Sequence, residues 1–240
     1  MSLLSVVKDV CMVVGVNPPT SLFAASVQPR TQAELLSLAN DMAQRIAYDT
    51  REWTALKKYA TFHGDGVATS FEMPDDYKRM TLTTQVRKTS VPRQPMRHIP
   101  DTDAWLTRRM ENASDNPSGE WTLIGTQMHI FPALAAGDTI RFVYLDKNCI
   151  KLSVAPPAGS PYSPTFVSDD DTTRIDERLL KFGMIWQWKA NKGSPYAEDL
   201  GTYGDAIQTA MGADKPAPII IDGQPISANV QIAYPWPVPT

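Results

Sequence analysis

The chain has 240 residues, of which 42% are hydrophobic and 20% are charged, which are ordinary proportions for a soluble globular protein. The formal net charge of −3 argues against a protein whose main task is to hold nucleic-acid phosphates, because that requires a basic face. No apolar run approaches the roughly 18 residues of a membrane span, so no membrane partner is expected.

Two helices are predicted in the first quarter of the chain. Apolar residues recur at helical spacing over residues 2–14, and Gly15 stands where helices commonly end. Thr31 and Glu34 have the spacing of a capping box, which predicts that a second helix begins there. The apolar face of that helix would be formed by Leu35, Leu38, Met42 and Ile46.

From about residue 59 the apolar period changes from 3.6 to 2, which is typical of strands. Residues 59–63 and 68–73 flank the glycine-bearing stretch 64–66, and together they predict a β-hairpin. The other elements predicted here are a short helix over 101–110 and strands over 79–87, 120–124, 127–131 and 139–145.

Helical periodicity returns after a connector rich in proline and serine. Thr173 and Asp176 are predicted to cap a helix whose apolar stripe includes Trp186 and which ends near Gly193. Ser194 and Pro195 then have the order of an N-cap and first helical residue, so they predict the start of a last helix.

These elements predict an α+β fold: a mainly helical bundle of about four helices with an inserted small antiparallel β-sheet and an extended C-terminal arm. The boundaries are residues 1–58 and 172–214 for the bundle, 59–150 for the β region, 151–171 for a connector loop and 215–240 for the arm.

The C-terminal stretch 216–240 has an unusual composition. It contains six prolines but only one charged side chain, Asp222. Proline prevents a helix and excludes most of the stretch from a central strand, so it cannot build a core of its own. We therefore expect this arm to lie against a partner, the parent domain or a neighbouring copy. Its candidate partner-binding residues are Ile219, Ile220, Ile221, Ile226, Val230, Ile232, Tyr234 and Trp236.

The sequence contains no GxSxG, GxxxxGK(S/T) or GxGxxG motif, so the prediction is a non-enzyme with no catalytic residue, metal or cofactor. The histidines His63, His98 and His129 are scattered, and Cys11 and Cys149 lie in apolar surroundings that favour buried free thiols over a disulfide. The acidic run 169–171 could hold a cation, but its proximity to a predicted helix start favours capping of that helix.

Several blocks occur in a recognisable order along the chain. They are 53–62 (WTALKKYATF), 71–79 (FEMPDDYKR), 121–125 (WTLIG), 129–132 (HIFP), 137–144 (GDTIRFVY), 166–171 (FVSDDD), 177–183 (ERLLKFG) and 186–189 (WQWK). Together these blocks resemble the head-to-tail adaptor, or connector, proteins of tailed bacteriophages, particularly podovirus-type adaptors, over roughly residues 1–214.

That resemblance implies a structural virion protein at the head-tail junction, synthesised in the host cytoplasm. It implies a homo-oligomeric ring, commonly of about twelve copies, beneath the portal protein. The ring would extend the DNA channel, provide the docking platform for tail or nozzle proteins and let double-stranded DNA pass without sequence-specific binding. Similar adaptors end in an extended arm that docks on the portal, which would assign a role to residues 216–240.

Other interpretations stay open from the sequence. The alternative function is a ligand- or carbohydrate-binding module that uses the inserted sheet, with Trp105 and Trp121 as stacking platforms. A metal-dependent hydrolase would instead use the carboxylates of the 169–171 run. Trp53 and Trp188 could be core residues or could pack against a neighbouring subunit.

Overall fold

The computed structural model describes residues 1–23, 29–82, 84–112, 114, 116–157 and 159–214, together with the backbone of residues 220–221 and 224–225. The α-helices in these residues are α1 (Leu3–Val14), α2 (Arg30–Tyr48), α3 (Thr102–Glu111), α4 (Glu177–Asn191) and α5 (Ala197–Asp214). None of these helices combines the length and apolar character needed to cross a membrane.

The strands before α3 are β1 (Lys57–His63), β2 (Ser70–Glu72), β3 (Tyr77–Met80), β4 (Arg87–Lys88) and β5 (Arg97–His98). Those between α3 and α4 are β6 (Glu120–Ile124), β7 (Gln127–Phe131), β8 (Thr139–Asp146), β9 (Ile150–Lys151), β10 (Tyr162–Ser163) and β11 (Thr172–Thr173). A further antiparallel pair, β12 (Ile220–Ile221) and β13 (Gln224–Pro225), follows α5.

The prediction of a mainly helical bundle with one small sheet is wrong. Within the described residues up to Asp214, the five helices are accompanied by eleven strands in three sheets, and about 21% of the residues are strand. Five of these strands are only two residues long. Such pieces are too short to show an alternating pattern, and they exist because distant segments pair with them.

Sheet 1 contains β1, β8, β3 and β4, with β1 along one edge of β8 and both β3 and β4 along the other. Sheet 2 has the order β2-β7-β6-β5, and β5 is parallel to β6. Sheet 3 is the small set β10-β9-β11. The predicted hairpin is therefore wrong, because β1 pairs with β8 and β2 pairs with β7 in a different sheet.

The stretch 64–66 is a close backbone crossing rather than a hairpin turn. The amide of Gly64 donates to the carbonyl oxygen of Asp138 at 2.9 Å, and that of Gly66 donates to Leu134 at 2.9 Å. A Cβ at position 64 would lie 2.4 Å from the carbonyl oxygen of Ala135, so only glycine allows this approach. The glycines thus bring β1 alongside β8 instead of returning the chain to β2.

The described residues form two large hydrophobic cores and a small third cluster of Ile99, Trp105 and Phe131. The first lies among α1, α2, α4 and α5, with α4 in contact with the other three helices, and it includes Trp53, Trp188 and both cysteines. The second lies between the facing sides of sheets 1 and 2 and includes Phe142, Trp121 and Ile130. Strand β8 joins them, since Phe142 faces sheet 2 whereas Leu145 belongs to the helical core.

Several helix starts differ from the prediction. Helix α2 begins at Arg30 without a side-chain cap, so Thr31 lies inside the first turn, and Glu34 instead pairs with Arg30 at 2.8 Å. Asp176 does cap α4, by accepting from the amide of Arg178 at 2.9 Å. The predicted partner Thr173 donates its hydroxyl to the carbonyl of Ile175, and α5 begins at Ala197.

Candidate functional site

The predicted partner-binding arm lies largely outside the described residues. For Ile220 and Ile221 the structure gives the backbone, which pairs antiparallel with Gln224 and Pro225. The positions outside the described residues are Ile219, Ile226, Val230, Ile232, Tyr234 and Trp236. Their role as binding residues stays a prediction from the sequence.

The end of α5, which is the root of the arm, is fixed to the rest of the fold by side-chain contacts. The carboxylate of Asp214, the last residue of α5, lies 3.3 Å from Nη2 of Arg51 and accepts from the amide of Thr54 at 3.2 Å. Arg51 also donates to the carbonyl of Met211. The side chains of Arg51 and Asp214 are each 17% exposed. The end of α5 is therefore fixed at one defined point, beside the short 3-10 turn Thr54–Leu56 that leads into β1.

A buried polar network occupies the boundary between the two cores. Asp146 is fully buried, and its Oδ2 accepts from Nζ of Lys58 at 2.7 Å and from Nη1 of Arg174 at 2.6 Å. Lys58 also reaches Asp76 at 2.5 Å, and the hydroxyl of Tyr144 donates to Asp76 at 2.7 Å. All five groups are satisfied by one another, which is the arrangement of a structural connection rather than of a reactive centre.

These contacts, together with burial, shift the pKa values of Lys58, Asp76 and Tyr144. Partial burial alone would lower the pKa of Lys58, but its hydrogen bonds to Asp146 and Asp76 raise the pKa above its ordinary value. Burial opposes ionisation of Asp76, yet the hydrogen bonds from Lys58 and Tyr144 hold its pKa below the usual range. Burial, with the contact to Asp76, raises the pKa of Tyr144. These pKa shifts favour a charged Lys58, an ionised Asp76 and a neutral Tyr144 at neutral pH.

The acidic run 169–171 binds the chain to itself. The carboxylate of Asp171 is buried and accepts from the amides of Ser153, Val167 and Ser168 at 2.8–2.9 Å. That of Asp169 accepts from the amide of Leu22 at 2.8 Å. The backbone carbonyl of Asp171 accepts from the amide of Leu3, and that of Asp169 accepts from the amide of Leu4. The run therefore satisfies amides at the start of α1 and not at the start of α4. In the part of the chain that the structure describes, no three His, Cys, Asp or Glu residues form a group that could hold a metal ion.

The remaining candidate residues occupy structural positions. Both cysteines are free and buried, as predicted. The ring of His98 stacks on Trp121 with centroids 4.2 Å apart. Trp105 and Trp121 are 4% and 6% exposed, so neither presents a ring face to solvent for stacking on a sugar.

A basic groove on the open face of sheet 1 was missed by the sequence analysis. It has a volume of about 790 Å³, and its lining includes Tyr59, Arg87, Pro92, Arg141 and Val143. Arg141 alternates with the apolar residues of a predicted strand, which marks it as outward-facing. The position of Arg87 beside it had no signal in the local pattern, because β4 has only two residues and pairs with a distant strand.

Comparison with models of known protein families gives no match, and comparison with curated proteins gives none either.

Proposed function

We propose that the protein is a structural, non-enzymatic component of a tailed-phage virion: a head-to-tail adaptor that joins the portal to the tail. The observation that carries this proposal is the 216–240 arm, which has nine large apolar side chains, six prolines and one charge. Such a stretch gains stability by binding a surface, since it cannot bury its own side chains. The order of the sequence blocks, which resembles that of phage adaptors, indicates the portal protein as the partner.

The contacts at the root of the arm support a docking role. Because Asp214 is tied to Arg51 and Thr54, the position of the bound arm would be transmitted to the body without a loose hinge at residue 214. Val230, Ile232 and Tyr234 alternate with Asn229, Gln231 and Ala233, so this part has one apolar face if it adds as a strand to a partner. Trp236 lies between two prolines and would be a stiff aromatic anchor.

A ring makes such arms effective together. A single arm loses much of its binding free energy to the ordering of its backbone. When one arm of a ring is bound, the others are held near their sites at high effective concentration, so the ring binds far more tightly than one copy. The ring proposed here has about twelve copies and leaves a central channel for double-stranded DNA.

The test is removal of residues 216–240 followed by assembly with portal rings, observed by co-sedimentation and electron microscopy. We expect the truncated chain to keep its circular dichroism spectrum and unfolding midpoint but to lose its association with the portal. Trp236→Ala should weaken association measurably, whereas Thr240→Ala, its matched control in the same arm, should not. Association that is undiminished in the truncated chain would exclude the proposed role of the arm.

A further inference from the structure

The groove on sheet 1 contains a row of side chains that crosses three strands. Arg141 of β8 lies directly opposite Arg87 of β4 on one side and Thr61 of β1 on the other. Directly opposed residues of antiparallel strands point to the same face, so both guanidinium groups and the threonine hydroxyl share the open face of the sheet. The next row along the sheet places Val143 opposite Tyr59.

The two arginines form a like-charged pair, which costs stability at directly opposed positions. Arg87 donates to the carbonyl oxygen of Pro92 at 2.7 Å and to Gln85, so neutral acceptors hold its guanidinium in place without cancelling its charge. Within the described residues, no carboxylate pairs with Arg87 or Arg141. A negatively charged group bound between them would remove this repulsion.

An apolar surface adjoins the cationic row. Tyr59 is 80% exposed, and its neighbours in the groove include Val143 and Pro92. Tyrosine and arginine are the residue types, with tryptophan, that most often carry the binding energy of protein interfaces. Arginine also matches a carboxylate with two parallel hydrogen bonds. The groove thus combines a site for a carboxylate with a site for a large apolar side chain in the next row of the sheet.

We propose that this groove binds a segment of another protein in which an aspartate or glutamate lies next to a large apolar residue, with the carboxylate between Arg87 and Arg141 and the apolar side chain on Tyr59. This proposal is independent of the adaptor function. A nucleic-acid backbone fits less well, because it needs a line of cations along the surface. Of the three basic residues that line the groove in the described residues, Lys88 is already paired with Asp138 at 3.3 Å, which leaves the two arginines to face a bound group.

The test measures binding of a fluorescein-labelled peptide that alternates aspartate with phenylalanine, by fluorescence anisotropy at low salt on the full chain. We expect binding that becomes at least about tenfold weaker with Arg141→Glu, since charge-assisted hydrogen bonds are lost. Lys8→Glu makes the same change in charge on the exposed side of α1 and should leave binding unchanged. A peptide with asparagine in place of aspartate should bind weakly.

Amide chemical shifts of the wild-type protein locate the bound peptide without any substitution. Titration with the acidic peptide should move the resonances of residues 59–61, 87–89 and 141–143 more than the rest. The proposal is overturned if the peptide does not bind or if the protein resonances that move belong to other residues. It is equally overturned if Arg141→Glu leaves the affinity for the peptide unchanged. It is also overturned if a single- or double-stranded oligonucleotide binds this face more tightly than the peptide does, which would assign the groove to nucleic acid.

Discussion

Lys58 and Asp146 form an ion pair at the boundary between the helical core and the facing sheets, with 2.7 Å between Nζ and Oδ2. Lys58 belongs to β1, and Asp146 is the last residue of β8. Arg174, which precedes α4, reaches the same carboxylate oxygen at 2.6 Å. One buried carboxylate therefore connects the edge strand, the central strand and the segment that starts the second pair of helices.

The first prediction concerns this carboxylate. Asp146→Asn removes the charge that compensates Lys58 and Arg174, and we expect the free energy of unfolding to fall by about 3 kcal/mol, because breaking a buried ion pair leaves uncompensated charge. Urea unfolding followed by tryptophan fluorescence measures the change. Asp170→Asn is the matched control, since Asp170 is exposed, and it should change stability by less than about 0.5 kcal/mol. Equal effects of the two substitutions would contradict the assigned role of Asp146.

The second prediction is a pH dependence that originates at Asp76. Hydrogen bonds from Lys58 and Tyr144 hold its pKa below the usual value, so the ionised form stabilises the fold above the unfolded pKa of about 3.9. That contribution is lost as the pH falls through the lower folded pKa. We expect the stability of the wild-type protein to decline more steeply below about pH 4 than that of Asp76→Asn. Urea unfolding between neutral and acidic pH tests this, and parallel profiles would rule it out.

The third prediction uses the contact between α4 and α2. A Cβ at Gly183 would lie 2.5 Å from Cγ of Met42 and 3.2 Å from the ring of Tyr203. Gly183→Ala should therefore destabilise the protein by about 1–2 kcal/mol, because overpacking outweighs the better helix propensity of alanine. Gly204→Ala on α5 meets no atom within 4 Å and should stabilise by about 0.5–1 kcal/mol. Thermal unfolding of both variants measures the difference, and a gain in stability for Gly183→Ala would show that the helices are less closely packed.

The fourth prediction concerns the thiols. Burial raises the pKa of Cys149 to about 11 and also raises that of Cys11, and only the thiolate reacts readily. We expect neither thiol to react with Ellman's reagent at pH 8 in the native protein and both to react in guanidinium chloride. The denatured sample is the control for reagent access. Rapid reaction of a thiol in the native state would mean that the helical core opens easily.

The helices were largely predictable because a helix is a local structure. The apolar spacing in 2–14 and the glycine that follows identify α1 from neighbouring residues alone, and Gly15 does adopt the left-handed conformation, with φ 73°. The helix starts were less predictable. At α2 the capping-box spacing of Thr31 and Glu34 was present, but the fold uses Glu34 for ion pairs with Arg30 and Lys192. A spacing shows what a side chain can do, whereas its tertiary neighbours decide what it does.

Strand pairing was not predictable from the same patterns. The alternation in 59–63 identified a strand, but nothing in that stretch indicated that its partner would be 139–146 rather than 68–73. The groove depends on the same long-range pairing, because Arg87 and Arg141 become neighbours only when β4 adds to β8. The alternation along 139–145 marks Arg141 as outward-facing, but it does not place a second arginine beside it.

By itself the sequence determined the helices, the buried thiols and the apolar, proline-rich composition of the stretch after residue 215, since each depends on composition or on periodicity within one stretch. Only the tertiary structure decided that two sheets enclose a second core, that Asp146 joins the two cores, and that two arginines share one face. These features depend on contacts between residues that are far apart in sequence, and the free energy of such contacts is set by shape and burial in the folded chain.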